Sequence, residues 1–101
     1  MKISEVQIIP VKPQNGLIAF ASCVLDDCYY IGSIAVYTRL KGGYRLVFPT
    51  KLVNERQMHI HHPISRKATE EIENAVFPRL HTLLEETAEY RTHSSQDQKT
   101  S

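Results

Sequence analysis

The chain has 101 residues, 42% of them hydrophobic and 23% charged, with a formal net charge of +1 at pH 7. That length encloses one core and not two, and the mix of apolar and charged residues excludes wholesale disorder and a fibrous repeat. No run approaches the ~18 consecutive apolar residues of a membrane span, and Glu5 stands where a signal peptide would carry its apolar stretch, so export is not expected and the cytoplasm is the expected compartment.

The first half has the chemistry of strands. Residues 3–11 are rich in β-branched side chains with Glu5 and Gln7 interleaved, and Pro10 and Pro13 demote the end of the run to a sheet edge. Asn15-Gly16 is a turn signal, and residues 17–25 follow as a second strand. Asp26-Asp27 reads as a two-residue turn, residues 29–40 as a long third strand, Gly42-Gly43 as a tight hairpin, and residues 44–48 as a fourth strand ended by Pro49. Short links of this kind make antiparallel neighbours. Residues 50–57 are polar apart from Leu52-Val53 and read as a mobile loop, and Met58 to His62 as a short fifth strand stopped by Pro63.

Ser65 is placed to cap a helix in which Ala68, Ile72, Ala75, Val76, Leu80, Leu83 and Leu84 form an apolar stripe. Pro78 lacks an N–H and crowds the preceding turn, so a kink, or two helices meeting near Phe77, is expected. Beyond Arg91 nothing can be buried. The expected organisation is one α+β domain over residues 1–90, an antiparallel meander of about five strands packed by a C-terminal helix broken or kinked at Pro78, followed by a disordered polar tail over 91–101.

The net charge conceals a partition. Residues 1–38 carry −1 and residues 68–101 carry −4, whereas residues 39–67 hold seven cations (Arg39, Lys41, Arg45, Lys51, Arg56, Arg66 and Lys67) against Glu55 alone. Contacts between such cations and phosphates release condensed counterions, and a helix N-terminus adds N–H donors, so convergence of these side chains would make a polyanion site. Tyr37, Tyr44 and Phe48 lie among them. Aromatics on a sheet can stack unpaired bases, and Tyr44 is the aromatic singled out for that role. The bland alternative is a solvated hairpin whose aromatics belong to the core.

His59 and His61 would share a strand face within reach of one metal ion, but no third ligand stands at a useful spacing, and no metal or other cofactor is expected. Cys23 and Cys28 read as free thiols beside one turn. Asp26 and Asp27 are explained as solvated turn residues. Without a nucleophile elbow, a glycine-rich phosphate loop or a helical His-Glu pair, the chain is expected to be a binding protein with no enzymatic activity or small-molecule substrate.

The start Met1-Lys2-Ile3-Ser4-Glu5-Val6, the Asp26-Asp27 hairpin, Ile34-Ala35-Val36, Gly43 before a strand ending in Phe48-Pro49-Thr50-Lys51, and His62-Pro63-Ile64 leading into a helix with Ile72 and Ala75-Val76 resemble the stage V sporulation protein G (SpoVG) family over about residues 1–80. The resemblance implies an antiparallel sheet with a C-terminal helix, a homodimer joined through strands, and a regulator of sporulation or septation that binds DNA and RNA. It carries over Lys51 as the basic position after the proline, and Arg66 and Lys67 at the helix start. Ala35 departs from a position that is often basic in the family. The alternatives are a protein-interaction module that does not touch nucleic acid and a metal-responsive regulator using His59 and His61.

Overall fold

The structure is a computed structural model that describes the backbone of residues 1–100 and the side chains of residues 1–86. Strands β1 (Ile3–Gln14), β2 (Leu17–Leu25), β3 (Tyr29–Thr38) and β4 (Tyr44–Val47) form an antiparallel sheet in the order β1-β2-β3-β4. Strands β5 (Thr50–Val53) and β6 (Arg56–His59) form a separate two-stranded hairpin, and α1 (Arg66–Thr100) completes the α+β fold. No helix among the described residues is long and apolar enough to cross a membrane.

The turns follow from residue types that tolerate a left-handed backbone. Asn15-Gly16 (φ 52° and 89°) and Asp26-Asp27 (φ 50° and 56°) turn their hairpins with positive φ at both residues, which matches the right-handed twist of the strands they join. The Asp26-Asp27 carboxylates do more than face solvent. Asp26 Oδ1 accepts the Lys2 backbone N–H at 2.8 Å, the Asp26 N–H donates to the Lys2 carbonyl at 2.7 Å, and Lys2 Nζ lies 2.8 Å from Asp27 Oδ2. The turn thereby secures the chain's first residues alongside it.

The two faces of the sheet differ. Rows Ile8–Ala21–Ile34 and Ala19–Val36–Leu46 run across the strands on the inner face. Small residues at the centre of β2 (Ala19, Ala21 and Cys23) share one buried core with Ile72, Val76 and Leu80 of α1, whose backbone comes closest to β1. Ile31 and Ile34 are both buried although strict alternation would turn one outward. The register of β2 with β3 slips between Cys23↔Ile31 and Ala21↔Ile34, and Ser33 takes φ 57°, so an extra residue resets the alternation. A second slip, between Ser4 and Gln7 beside Glu5 at φ 49°, does the same for Ile3 and Val6.

The break expected at Pro78 is not made. Pro78 is exposed inside one continuous helix. Val76 and Leu80, on either side of it, are fully buried against the sheet, so packing holds both flanks while the carbonyl left without its amide partner can be hydrated. Ser65 caps the helix, its Oγ accepting the Ala68 N–H at 3.1 Å. The expected tail over 91–101 lies beyond the residues whose side chains are described.

Two further expectations change. The mobile loop over 50–57 is instead most of the β5–β6 hairpin, turned by Asn54-Glu55 at φ 49° and 65°. The expected fifth strand over 58–62 ends at His59, and it pairs with β5 outside the main sheet.

Candidate nucleic-acid interface

The cations of residues 39–67 are all exposed, but they do not form one patch. Arg39, Lys41 and Arg45 surround the Gly42-Gly43 turn, where Thr38 pairs with Tyr44. Arg39 Nε donates to the Tyr44 carbonyl at 3.1 Å, and the Arg45 guanidinium lies 5.4 Å from the centre of the Tyr37 ring on the outer face. Lys51 and Arg56 sit on β5 and β6, and the root of that hairpin, Pro49 and Ile60, lies beside Gly32 and Ser33. Gly32 and Thr38 are six residues apart on β3, or about 20 Å at ~3.3 Å per residue. The turn cluster and the hairpin root therefore lie toward opposite ends of β3.

Arg66 and Lys67 open α1, joined to the hairpin by residues 60–65. His61 fixes that connection, its Nε2 donating to the Gly32 carbonyl at 2.9 Å and its ring meeting Phe48 edge-on at 6.1 Å. The Nε2–H tautomer follows, because a carbonyl can only accept. Arg66 Nε lies 3.9 Å from Glu70, an exposed pair of little strength. Lys41, Lys51, Arg56 and Lys67 have no ion-pair partner among the described residues.

The histidines also separate. The His59 ring packs against His62, with centres 4.0 Å apart and planes tilted by 41°, while His61 turns to Gly32, so His59 and His61 do not converge as a strand pair would. His62 Nδ1 donates to the Pro63 carbonyl at 3.1 Å. Among the described residues no three His, Cys, Asp or Glu side chains come together in a metal-binding arrangement.

Nor are the interleaved aromatics displayed as a stacking platform. Tyr44 packs its ring 5.9 Å from Phe77 beneath α1, and Phe48 is half-buried. Among the described residues the exposed aromatics are Phe20 on β2 and Tyr29 and Tyr30 at the other end of β3, none of which the charge block included. The sequence reads Asn54 and Gln57 only as loop residues, and Glu55 only as the one carboxylate among the cations of residues 39–67. The available signal was Asn-Glu between Leu52-Val53 and Met58-His59, since Asn tolerates a left-handed turn between two short extended runs.

The outer face of the sheet is uncovered. Ile9, Phe20, Ala35 and Val47 stand directly opposite one another across its four strands, and Ile9 is 61% exposed. On the other side, β4 pairs only with residues 35–38 of β3, so the long strand is interior there and has no strand partner on that flank over 29–34.

These features define a small α+β protein with a helix on one face of its sheet, an apolar opposite face and a basic hairpin outside it. The SpoVG family model matches residues 1–81, and the chain belongs to that family. It is 34% identical over 76 residues to a Treponema denticola protein named "Putative septation protein SpoVG", covering 75% of this chain and 82% of that one. A Finegoldia magna protein of the same name is 34% identical over 92 residues, covering 91% of this chain and 85% of its own length.

Proposed function

We propose that this protein is a nucleic-acid-binding regulator in septation or sporulation, acting in the cytoplasm as a homodimer without catalytic activity. The observation that carries the reading is the β5–β6 hairpin with the start of α1, where Lys51, Arg56, Arg66 and Lys67 are exposed in one continuous stretch of chain that holds a single carboxylate outside the helix, Glu55. Such cations suit phosphates, and a helix N-terminus adds N–H donors to them. The septation role is supported by the names of the two relatives.

The test is the salt dependence of binding to duplex and single-stranded nucleic acid. Replacing Lys51, Arg56, Arg66 and Lys67 with Ala should flatten the plot of log affinity against log salt by about 0.7–0.9 per lost phosphate contact. An unchanged slope in the folded variant removes this surface from consideration.

The uncovered row Ile9–Phe20–Ala35–Val47 supports self-association, because an apolar sheet face invites a second copy. Light scattering at micromolar concentration should give twice the 11.6 kDa chain mass. The same face also favours a second reading, docking of a different protein. In that case the chain is monomeric alone and the alanine variant binds its protein partner normally.

A further inference from the structure

Within the hairpin, the register places Lys51 opposite Met58 and Val53 opposite Arg56, so one face presents two cations and two apolar side chains on alternating corners. The other face holds Thr50, Leu52, Gln57 and His59, with Thr50 Oγ1 donating to Gln57 Oε1 at 2.8 Å. Every residue from Thr50 to His59 is exposed, including Leu52 at 62%, Val53 at 43% and Met58 at 53%. An isolated two-stranded hairpin is only marginally stable in water, and apolar side chains on both faces suit an element that works inside a binding partner.

The tip narrows the partner's chemistry. Asn54, Glu55, Arg56 and Gln57 are consecutive. They are side-chain types that recognise base edges in the major groove: Arg with guanine O6 and N7, Asn or Gln with adenine N6 and N7, Glu with the cytosine N4 amine. Arg56 shares its face with Lys51, Val53 and Met58, whereas Gln57 lies on the other face and is engaged by Thr50, so Arg56 and the turn residues Asn54 and Glu55 are the base readers. Met58 and Val53 can meet a thymine methyl.

We infer that the β5–β6 hairpin is a duplex-reading ribbon that enters the DNA major groove, a reading that rests on the nucleic-acid function proposed above. A major groove about 12 Å wide admits a two-stranded ribbon, whereas the undistorted minor groove, about 6 Å wide, does not. Glu55 argues the same way. The minor groove of A·T pairs offers only acceptors, which repel a carboxylate, while the major groove offers the N4 donor of cytosine. Single strands fit less well, since residues 50–59 include no Phe, Tyr or Trp on which bases could stack. Lys51 supplies phosphate contact at the groove wall, and Arg66 and Lys67 hold the flanking backbone.

The test is selection from a pool of random-sequence duplex DNA by the full chain, followed by methylation interference with dimethyl sulfate. That reagent marks guanine N7 in the major groove and adenine N3 in the minor groove. The expected result is interference at guanine N7 within the selected site. Glu55→Gln, which preserves side-chain shape, should raise affinity for arbitrary duplex by removing a negative charge while reducing discrimination at one base pair about tenfold. Lys51→Ala should weaken all sequences alike. Interference confined to adenine N3, binding to single strands only, or a base preference untouched by Glu55→Gln each overturns the ribbon and leaves the nucleic-acid reading standing. Failure of the unsubstituted protein to bind duplex or single strands overturns both.

Discussion

The Tyr44 ring lies 5.9 Å from the Phe77 ring at an interplanar angle of 50°, so the aromatic nearest the basic turn is packed between β4 and α1. Its chief contribution is to the contact between sheet and helix. Tyr44→Ala should cost roughly 2 kcal/mol, somewhat less than truncation of a fully buried aromatic. Tyr44→Phe should change stability by less than about 0.5 kcal/mol. Urea denaturation measures both, and nucleic-acid affinity at a temperature where both variants are folded should be unchanged by Tyr44→Phe.

Leu80 and Pro78 should respond in opposite directions. Leu80 is fully buried over the sheet, so Leu80→Ala removes methyl groups and leaves a cavity, at a cost of about 2–5 kcal/mol. Pro78 is exposed inside the same helix, and Pro78→Ala restores an N–H that can donate to the Asn74 carbonyl, a gain of up to about 3 kcal/mol. Thermal unfolding of the two variants should move the midpoint down and up respectively.

Asp26 and Asp27 are neighbours with unequal roles. Asp27→Asn removes the charge from an exposed ion pair with Lys2 while keeping a side chain that tolerates φ 56°, and should cost less than about 1 kcal/mol. Asp26→Ala removes the acceptor for the Lys2 N–H and places Ala at φ 50°, which should cost about 1–2 kcal/mol more than Asp26→Asn, since Asn tolerates that backbone and keeps a carbonyl oxygen. Chemical denaturation of the three variants gives this order directly.

The two thiols should differ sharply in reactivity. Cys28 is exposed, whereas Cys23 is buried in β2 and burial pushes its thiol above the ordinary value of 9.0. Labelling under native conditions should modify Cys28 and spare Cys23 until the chain unfolds. The linkage has a definite sign. The folded state holds the Cys23 proton more tightly than the unfolded state, so this contribution is complete below the ordinary thiol value and is lost as pH rises above it. Cys23→Ala should remove that component of the alkaline loss in a stability profile between pH 8 and pH 10.

The local chemistry of the chain was readable residue by residue. Asn15-Gly16, Asp26-Asp27 and Gly42-Gly43 specify their turns through the backbone angles those residues tolerate, Ser65 specifies a helix start through its side-chain oxygen, and Ile72, Val76 and Leu80 specify the buried face through helical spacing. The β5–β6 hairpin escaped because both its faces are exposed, leaving no alternation of apolar and polar residues to mark it as strand. Tertiary structure alone decided where the cations went. Strand length and direction carry Arg39, Lys41 and Arg45 to one end of β3, and the hairpin that holds Lys51 and Arg56 is rooted near Gly32, about 20 Å along the strand from that end. The partial burial of Tyr44 and the resetting of β3 at Ser33 were decided the same way, since each depends on what stands opposite the residue across the sheet or beneath the helix, which order along the chain does not specify.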